Sequence, residues 1–332
     1  MTPLVVTGAA GFLGQAIVAA ARRAGHPVRA VVRRPDQAPA GWDNGVSCHV
    51  TDLARDGDMA PILDGAGAVI HAAAGQDHAR DTAQATQHLL KALSGQRLVL
   101  VSSFSVYGVA AMPAGAQLDE TTPTDPDIAR RDAYAQAKLS QERAALRLAQ
   151  HDGLDLWILR PGAIYGPGRT WTARLGYPAA GRVLCPGGSA RVPAIHVDHC
   201  AAAIVAAATA DHGTWPSDAP ILAGGGHVRI VNLVDPDPPT QADWLATIGR
   251  GSVLRLPLGP LMKLARLADL AGEVVPALGR RQPTALREPV LAARFKPLRY
   301  SHARATDLLG HHPDRSFAEA MATATDTKED TV

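Results

Sequence analysis

Apolar positions in this chain follow two rhythms. Short, mainly apolar runs such as Leu4-Val5-Val6, Val28-Arg29-Ala30-Val31-Val32 and Ala68-Val69-Ile70-His71 alternate with longer segments, 15–24 and 81–93, in which alanine and leucine recur every three or four residues. Runs of the first kind predict buried strands, and segments of the second kind predict helices. Further strands are expected at 46–50, 97–101 and 156–160, and further helices from Arg131 to about residue 150 and over 200–210. Strands alternating with helices predict a doubly wound α/β fold with a parallel sheet. Two stretches depart from the alternation. Few elements are expected between residues 168 and 194, which are rich in glycine and proline. From 257 to 278, Leu261, Leu264, Ala268, Ala271, Val275 and Leu278 form an apolar stripe interrupted by Lys263, Arg266, Asp269 and Glu273. Charges of both signs argue against a membrane span there and for a lid or docking helix, with membrane-surface contact as the lesser alternative.

The first turn carries the sharpest chemical signal. Gly8, Gly11 and Gly14 are spaced three apart between the strand at Leu4 and the alanine-rich helix. Glycine permits the tight turn and lets the main chain approach a pyrophosphate, toward which the helix N-terminus directs free N–H groups. Ala10, Phe12 and Leu13 complete the candidate dinucleotide cradle.

Composition adds exclusions rather than direction. The chain has 332 residues with 33 basic and 31 acidic side chains, so charge does not point to nucleic acid, and aromatics at 4% offer no stacking platform. Cys48, Cys185 and Cys200 are odd in number and widely spaced, which suggests neither a disulfide framework nor a zinc site. A strand beginning at Leu4 leaves no room for a signal peptide, so a cytoplasmic location is expected. The run Ile195-His196-Val197-Asp198-His199 invites a metal reading. A helix follows at once, and Asp198 is expected to be its N-cap instead.

Other candidates sit at strand ends. Arg33 and Arg34 follow the second strand, where arginine favours the 2′-phosphate of NADP; the alternative is a solvated pair. Asp52 could meet an adenine amine, and the small residues Ala72, Ala73 and Ala74 would let an adenosine lie against the backbone. His71 reads best as a core or strand-end histidine. Tyr134 and Lys138, four apart, share one helical face, and an ammonium near a phenol lowers its pKa from about 10. Arg169, Arg174, Arg182 and Arg191 either clamp an anionic substrate group or are solvated loop residues.

The pieces TGAAGFLG, VVRRP, the Asp52-Leu53 pair, IHAAA, SSFSVYG, YAQAK, RPGAIYGPG and IHVDHCAAA occur in that order across residues 1 to about 210. Together they resemble the extended short-chain dehydrogenases/reductases, which include epimerase/dehydratase and hydroxysteroid-dehydrogenase-like members. The resemblance implies that Ser103 bonds the reacting oxygen, with Ser102 the weaker alternative, and that Tyr134 is the acid/base. Lys138 would hold the nicotinamide ribose and tune the tyrosine, and the loop at Pro161 would pack beside the nicotinamide. Thr82 stands where the family commonly has asparagine, and the loop 75–81 is short.

The reading therefore expects a Rossmann domain over 1–167, with segments about 195–235 returning to it. A substrate-binding region is expected from 168–194 and 236–322, and a disordered tail from 323 to 332. Function is expected to be NAD(P)-dependent hydride transfer at a secondary alcohol or ketone, with NADP preferred, NAD the alternative cofactor and no metal. Nucleotide-sugar epimerisation or dehydration is the runner-up, and a non-catalytic NADP-binding sensor or scaffold the third reading. A small-molecule substrate and a homodimer complete the expected partners.

Overall fold

A computed structural model describes residues 1–55, 58–73, 79–211, 227–274 and 282–326. Its centre is a seven-stranded sheet of β1 (Leu4–Thr7), β2 (Val28–Val32), β3 (Val46–Val50), β4 (Ala68–His71), β5 (Arg97–Val101), β6 (Asp155–Pro161) and β7 (His227–Leu233). All neighbours run parallel in the order β3-β2-β1-β4-β5-β6-β7. The helices are α1 (Phe12–Arg23), α2 (Ala60–Leu63), α3 (Ala79–Ala92), α4 (Ala133–Asp152), α5 (Val197–Thr209), α6 (Gln241–Thr247), α7 (Leu258–Val274), α8 (Glu288–Phe295), α9 (Ala303–Leu309) and α10 (Phe317–Asp326).

Strand side chains alternate across the sheet, and the two faces bury separate cores. Leu4 and Val6 join Ile17, Val18 and Ile204 beneath α1 and α5, while Val5 joins Leu89, Ala145 and Ala149 beneath α3 and α4. Because both faces are covered, the central strands are apolar throughout rather than alternating. The chain leaves β1 toward β2 and later returns to its other side with β4, so the strand order reverses beside β1. Ligand crevices form at the carboxyl ends of strands where this happens.

The opposite end of the sheet is pinned by charge. Arg97 donates from Nε to Asp155 at 2.8 Å and from a terminal nitrogen to the carbonyl of Ala210, the C-cap of α5, at 2.6 Å. A cation there opposes the partial negative charge of the helix end. Arg229 bonds the other Asp155 oxygen at 2.6 Å and lies over the Trp157 ring.

Four expectations need correction. Residues 168–194 contain the strands Tyr177–Ala179 and Arg182–Pro186, which pair with each other and, through the second, with Val253–Leu256. These are short and proline-broken, so no period was visible. Helix α5 starts at Val197, and its N-cap is His196, whose Nδ1 accepts the N–H of Asp198 at 3.3 Å; Asp198 lies inside the first turn. The strand Ala194–His196 runs directly into the helix, which moves the cap two residues earlier. Residues 323–326 belong to α10, where Ala320, Met321 and Ala324 are buried against Trp244 and Phe317; residues 327–332 lie outside those described. On α7 the buried residues are Ala265 and Asp269, whereas Leu264 of the expected stripe is exposed; Val275 and Leu278 lie outside the described residues.

Candidate functional site

The three glycines divide the work of the first turn. Gly8 has φ +70°, and a Cβ on it would sit 2.8 Å from the nitrogen of Ala73. At Gly14 a Cβ would overlap the Gly8 carbonyl, so this glycine lets α1 close onto the turn. A Cβ on Gly11 would meet only the Gly8 oxygen at 3.3 Å. Gly11 is also the N-cap of α1 and offers no side-chain cap, so the first N–H groups remain available to an anion. This cradle fits a dinucleotide pyrophosphate.

The crevice beside it has a volume of ≈ 470 Å³. Gly8, Ala10 and Gly11 form its floor, and Ala72 and Ala73 line the β4 side, where small residues leave room for a flat ring. Ala74 lies outside the described residues. Arg33, Asp52 and Leu53 line the far side. Arg34 does not, because its guanidinium pairs with exposed Asp36 at 3.2 Å. Asp52 accepts the N–H of Ala54 at 3.1 Å and so holds its own loop. Phe12 and Leu13 are half-buried and off the lining: Leu13 packs on the core, and the Phe12 ring lies under the Arg169 guanidinium, 5.4 Å from its centroid. Gln37, Thr51, Ala54, Asp81 and Ala85 also line the crevice and were missed, although Thr51 and Ala54 flank the Asp52-Leu53 pair. Thr82, at the asparagine position, is buried and lines it too.

Helix α4 delivers the second group. Asp132 caps it by accepting the N–H of Ala135 at 3.0 Å, which places Tyr134 in the first turn and Lys138 one turn further along. Ser103 caps the short turn Phe104–Val106 by accepting the N–H of Ser105 at 3.1 Å. Burial pushes that phenol above its ordinary pKa, against the downward pull of Ser103, Arg169 and Arg174. Lys138 is buried, and its ammonium donates to the Val101 carbonyl at 2.7 Å. Burial lowers its pKa to about 8 although Glu142 acts the other way. The expected lowering of the phenol by Lys138 is thus replaced by a pull from the serine and two arginines. Lys138 is engaged with the end of β5.

Ser102 points elsewhere, donating to Glu142 at 2.5 Å. Glu142 is gripped by Arg160 through two bonds, 2.9 and 2.7 Å, with both side chains buried. Arg160 lies over the ring of Tyr107, whose hydroxyl donates to Asn232 at 2.6 Å. Beside this network His71 bridges Thr7 at 2.8 Å and Thr86 at 3.1 Å, and Gln141 donates to Thr86 at 2.7 Å. Burial and the Lys138 charge drive His71 down to about 3, so it is a neutral core residue. Gln141 and Glu142, three and four residues after Lys138, were missed. Polar residues at that spacing on the helix face carrying Lys138 were the available signal.

Pro161 ends β6 and is buried, off the crevice lining. A Cβ on Gly162 would overlap the Pro193 carbonyl, which fixes this loop against the strand Ala194–His196. Of the four loop arginines, Arg169 and Arg174 act on Tyr134, and Arg174 donates to the Ala293 carbonyl. Arg182 is exposed, and Arg191 bonds the Pro238 carbonyl at 2.8 Å. His199 is held between Asp235 at 3.1 Å and Asp314 at 3.0 Å, a role in joining α5 to the C-terminal segment.

Residues 4–218 match the model of the NAD dependent epimerase/dehydratase family. The ceramide reductase of Caulobacter vibrioides is 30% identical over 266 residues, 70% of this chain and 74% of that protein. A 3-diazoavenalumate denitrifying reductase from Streptomyces is 30% identical over 268 residues, 74% of this chain and 80% of that protein. Among solved structures, MoeE5 in complex with UDP-glucuronic acid and NAD superposes with a TM-score of 0.68 at 19% identity, over 99% of this chain and 100% of that one.

Proposed function

This chain belongs to the NAD-dependent epimerase/dehydratase family, and from that premise we propose that it is a reductase acting on a ketone or, in reverse, on a secondary alcohol. The observation that carries this is that the Lys138–Val101 bond ties the helix of Tyr134 to the strand end that leads into Ser103, while Ser102 is held by Glu142. Ser103 holds the reacting oxygen, and the Tyr134 phenol gives up or takes its proton. A phenol whose pKa is raised by burial is protonated at neutral pH and suits the donor role. Lys138, fixed to Val101, holds the ribose hydroxyls, while the positive charge acting on the phenol comes from Arg169 and Arg174. When bound, a nicotinamide cofactor supplies or accepts the hydride.

We assign the pyrophosphate to Gly8, Ala10 and Gly11 with the α1 N-terminus, the adenosine to Asp52, Leu53, Ala72 and Ala73, and the nicotinamide end to Tyr134, Lys138 and the loop at Pro161. Arg33 on the lining supports NADP, since a guanidinium matches a 2′-phosphate. The substrate region is assigned to the segments after residue 167 that do not join the main sheet.

A second reading is favoured by one observation, the two guanidinium groups of Arg169 and Arg174 that act on Tyr134. Arginine there could hold the anionic part of a nucleotide-sugar, and epimerisation would follow if the cofactor were retained. The test is to incubate the purified protein with NADPH and a panel of aryl and long-chain ketones, following loss of the reduced nicotinamide absorbance. Net oxidation matched by alcohol formation supports the reductase. Turnover of a nucleotide-sugar with no net absorbance change defeats it.

A further inference from the structure

Helix α7 faces outward with an apolar and cationic surface. Leu264, Leu267, Leu270 and Val274 are 65%, 64%, 49% and 82% exposed, and their spacing places them along one side. Single exposed apolar side chains are ordinary, but three leucines and a valine along three turns make a continuous stripe. The inner side is already engaged, since Leu261 and Met262 pack against Leu291 and Phe295 of α8.

Lys263 and Arg266 are exposed beside the stripe. Asp269 is buried, bonded by Arg130 at 2.8 Å and by the N–H of Glu288 at 3.0 Å, and Glu273, exposed, is neutralised by Arg130 at 3.5 Å. A second copy docked about a two-fold axis would bring this cationic face against itself. An anionic bilayer surface matches both the apolar stripe and its flanking cations.

We propose that α7 seats this protein on an anionic membrane surface, its four apolar side chains entering the boundary between headgroups and acyl chains and Lys263 and Arg266 lying among the headgroups. No helix among the described residues is long and apolar enough to cross a membrane, so the contact is peripheral. The seat also adjoins the site. Arg130, which holds both acids of α7, is two residues before Asp132, the cap of the helix carrying Tyr134. This inference stands apart from the reaction proposed above.

The experiment is co-sedimentation of the full chain with phosphatidylcholine vesicles, with and without phosphatidylglycerol. Binding is expected only with the anionic lipid and should weaken as salt is raised. Lys263→Gln with Arg266→Gln should reduce it about 30-fold, at the usual increment per basic residue near an anionic surface. Leu264→Ser with Leu267→Ser and Leu270→Ser should reduce it at least about tenfold. Since all five side chains are exposed, both variants should keep the parent's thermal unfolding midpoint, and the charge variant decides if the leucine variant does not. Absence of binding to anionic vesicles overturns the proposal. So does binding that neither variant weakens, or a dimer that the leucine variant dissociates while vesicles stay unbound.

Discussion

The Lys138 ammonium donates to the Val101 carbonyl at 2.7 Å, which ties the second turn of α4 to the last residue of β5. Ser103 lies two residues beyond that carbonyl, and Tyr134 lies one helical turn before Lys138. One buried bond therefore sets the distance between the two elements that carry the proposed proton donor and its serine. Lys138→Met should slow turnover and weaken cofactor binding together, measured as kcat and as Kd for the reduced cofactor. A variant with unchanged cofactor affinity would remove the ribose from the role of Lys138.

Tyr134→Phe leaves the ring in place and removes the hydroxyl with its exchangeable proton. Turnover should fall by about 10²–10⁴, the usual contribution of a positioned acid or base. Cofactor affinity should stay within about twofold under the same reasoning. Steady-state kinetics with fluorescence titration decides it. Undiminished turnover would require another proton donor.

The proposed preference for NADP(H) rests on Arg33 more than Arg34. Only Arg33 lines the crevice, while Arg34 is paired with Asp36. Arg33→Ala should lose about tenfold or more in NADP(H) affinity with NAD(H) affinity nearly unchanged, since a guanidinium–phosphate contact is charge-assisted. Arg34→Ala should lose less. Equal losses for both cofactors, or tighter NAD(H) binding by the parent, would return these arginines to solvent.

Stability depends on the buried pair Glu142–Arg160. Removing one partner leaves an uncompensated charge in the core, so Arg160→Met should cost about 3–5 kcal/mol. Denaturant unfolding at neutral pH measures this. A loss below about 1 kcal/mol would mean that Glu142 takes up a proton or reaches water in the variant.

Two histidines give stability opposite pH dependences. The carboxylates of Asp235 and Asp314 hold His199 above its usual 6.5, so its contribution is present below that value and is lost as pH rises through the folded-state pKa. His71 is held at about 3, so the unfolded chain takes up its proton first and this residue lowers stability as pH falls from 6.5 toward 3. His199→Gln should flatten the alkaline side of the stability profile, and His71→Gln the acidic side. Profiles parallel to the parent's on those sides would contradict the assignments.

The parallel sheet was legible because its central strands, such as Leu4–Thr7, Ala68–His71 and Arg97–Val101, are buried on both faces and read as mainly apolar runs. The glycine turn was legible because Gly8 and Gly14 each answer a steric demand that no other residue meets. Less could be read where long-range geometry decides. Nothing local distinguishes Arg33 from Arg34, and only the fold shows which faces the crevice. Arg160, eighteen residues after Glu142, becomes its partner only when β6 lies beside α4. On α7 the apolar residues cover more than one side, so periodicity alone could not show which side α8 takes.

The most direct measurement is the fate of deuterium in a single turnover with reduced cofactor labelled at the transferable position of the nicotinamide. The account predicts that the label appears on the carbinol carbon of the released product, one per oxidised cofactor, and that Tyr134→Phe slows this transfer without redirecting it. Label returning to the nicotinamide during steady turnover of a nucleotide-sugar, with no oxidised cofactor released, would contradict the reductase and establish the retained-cofactor reaction in its place.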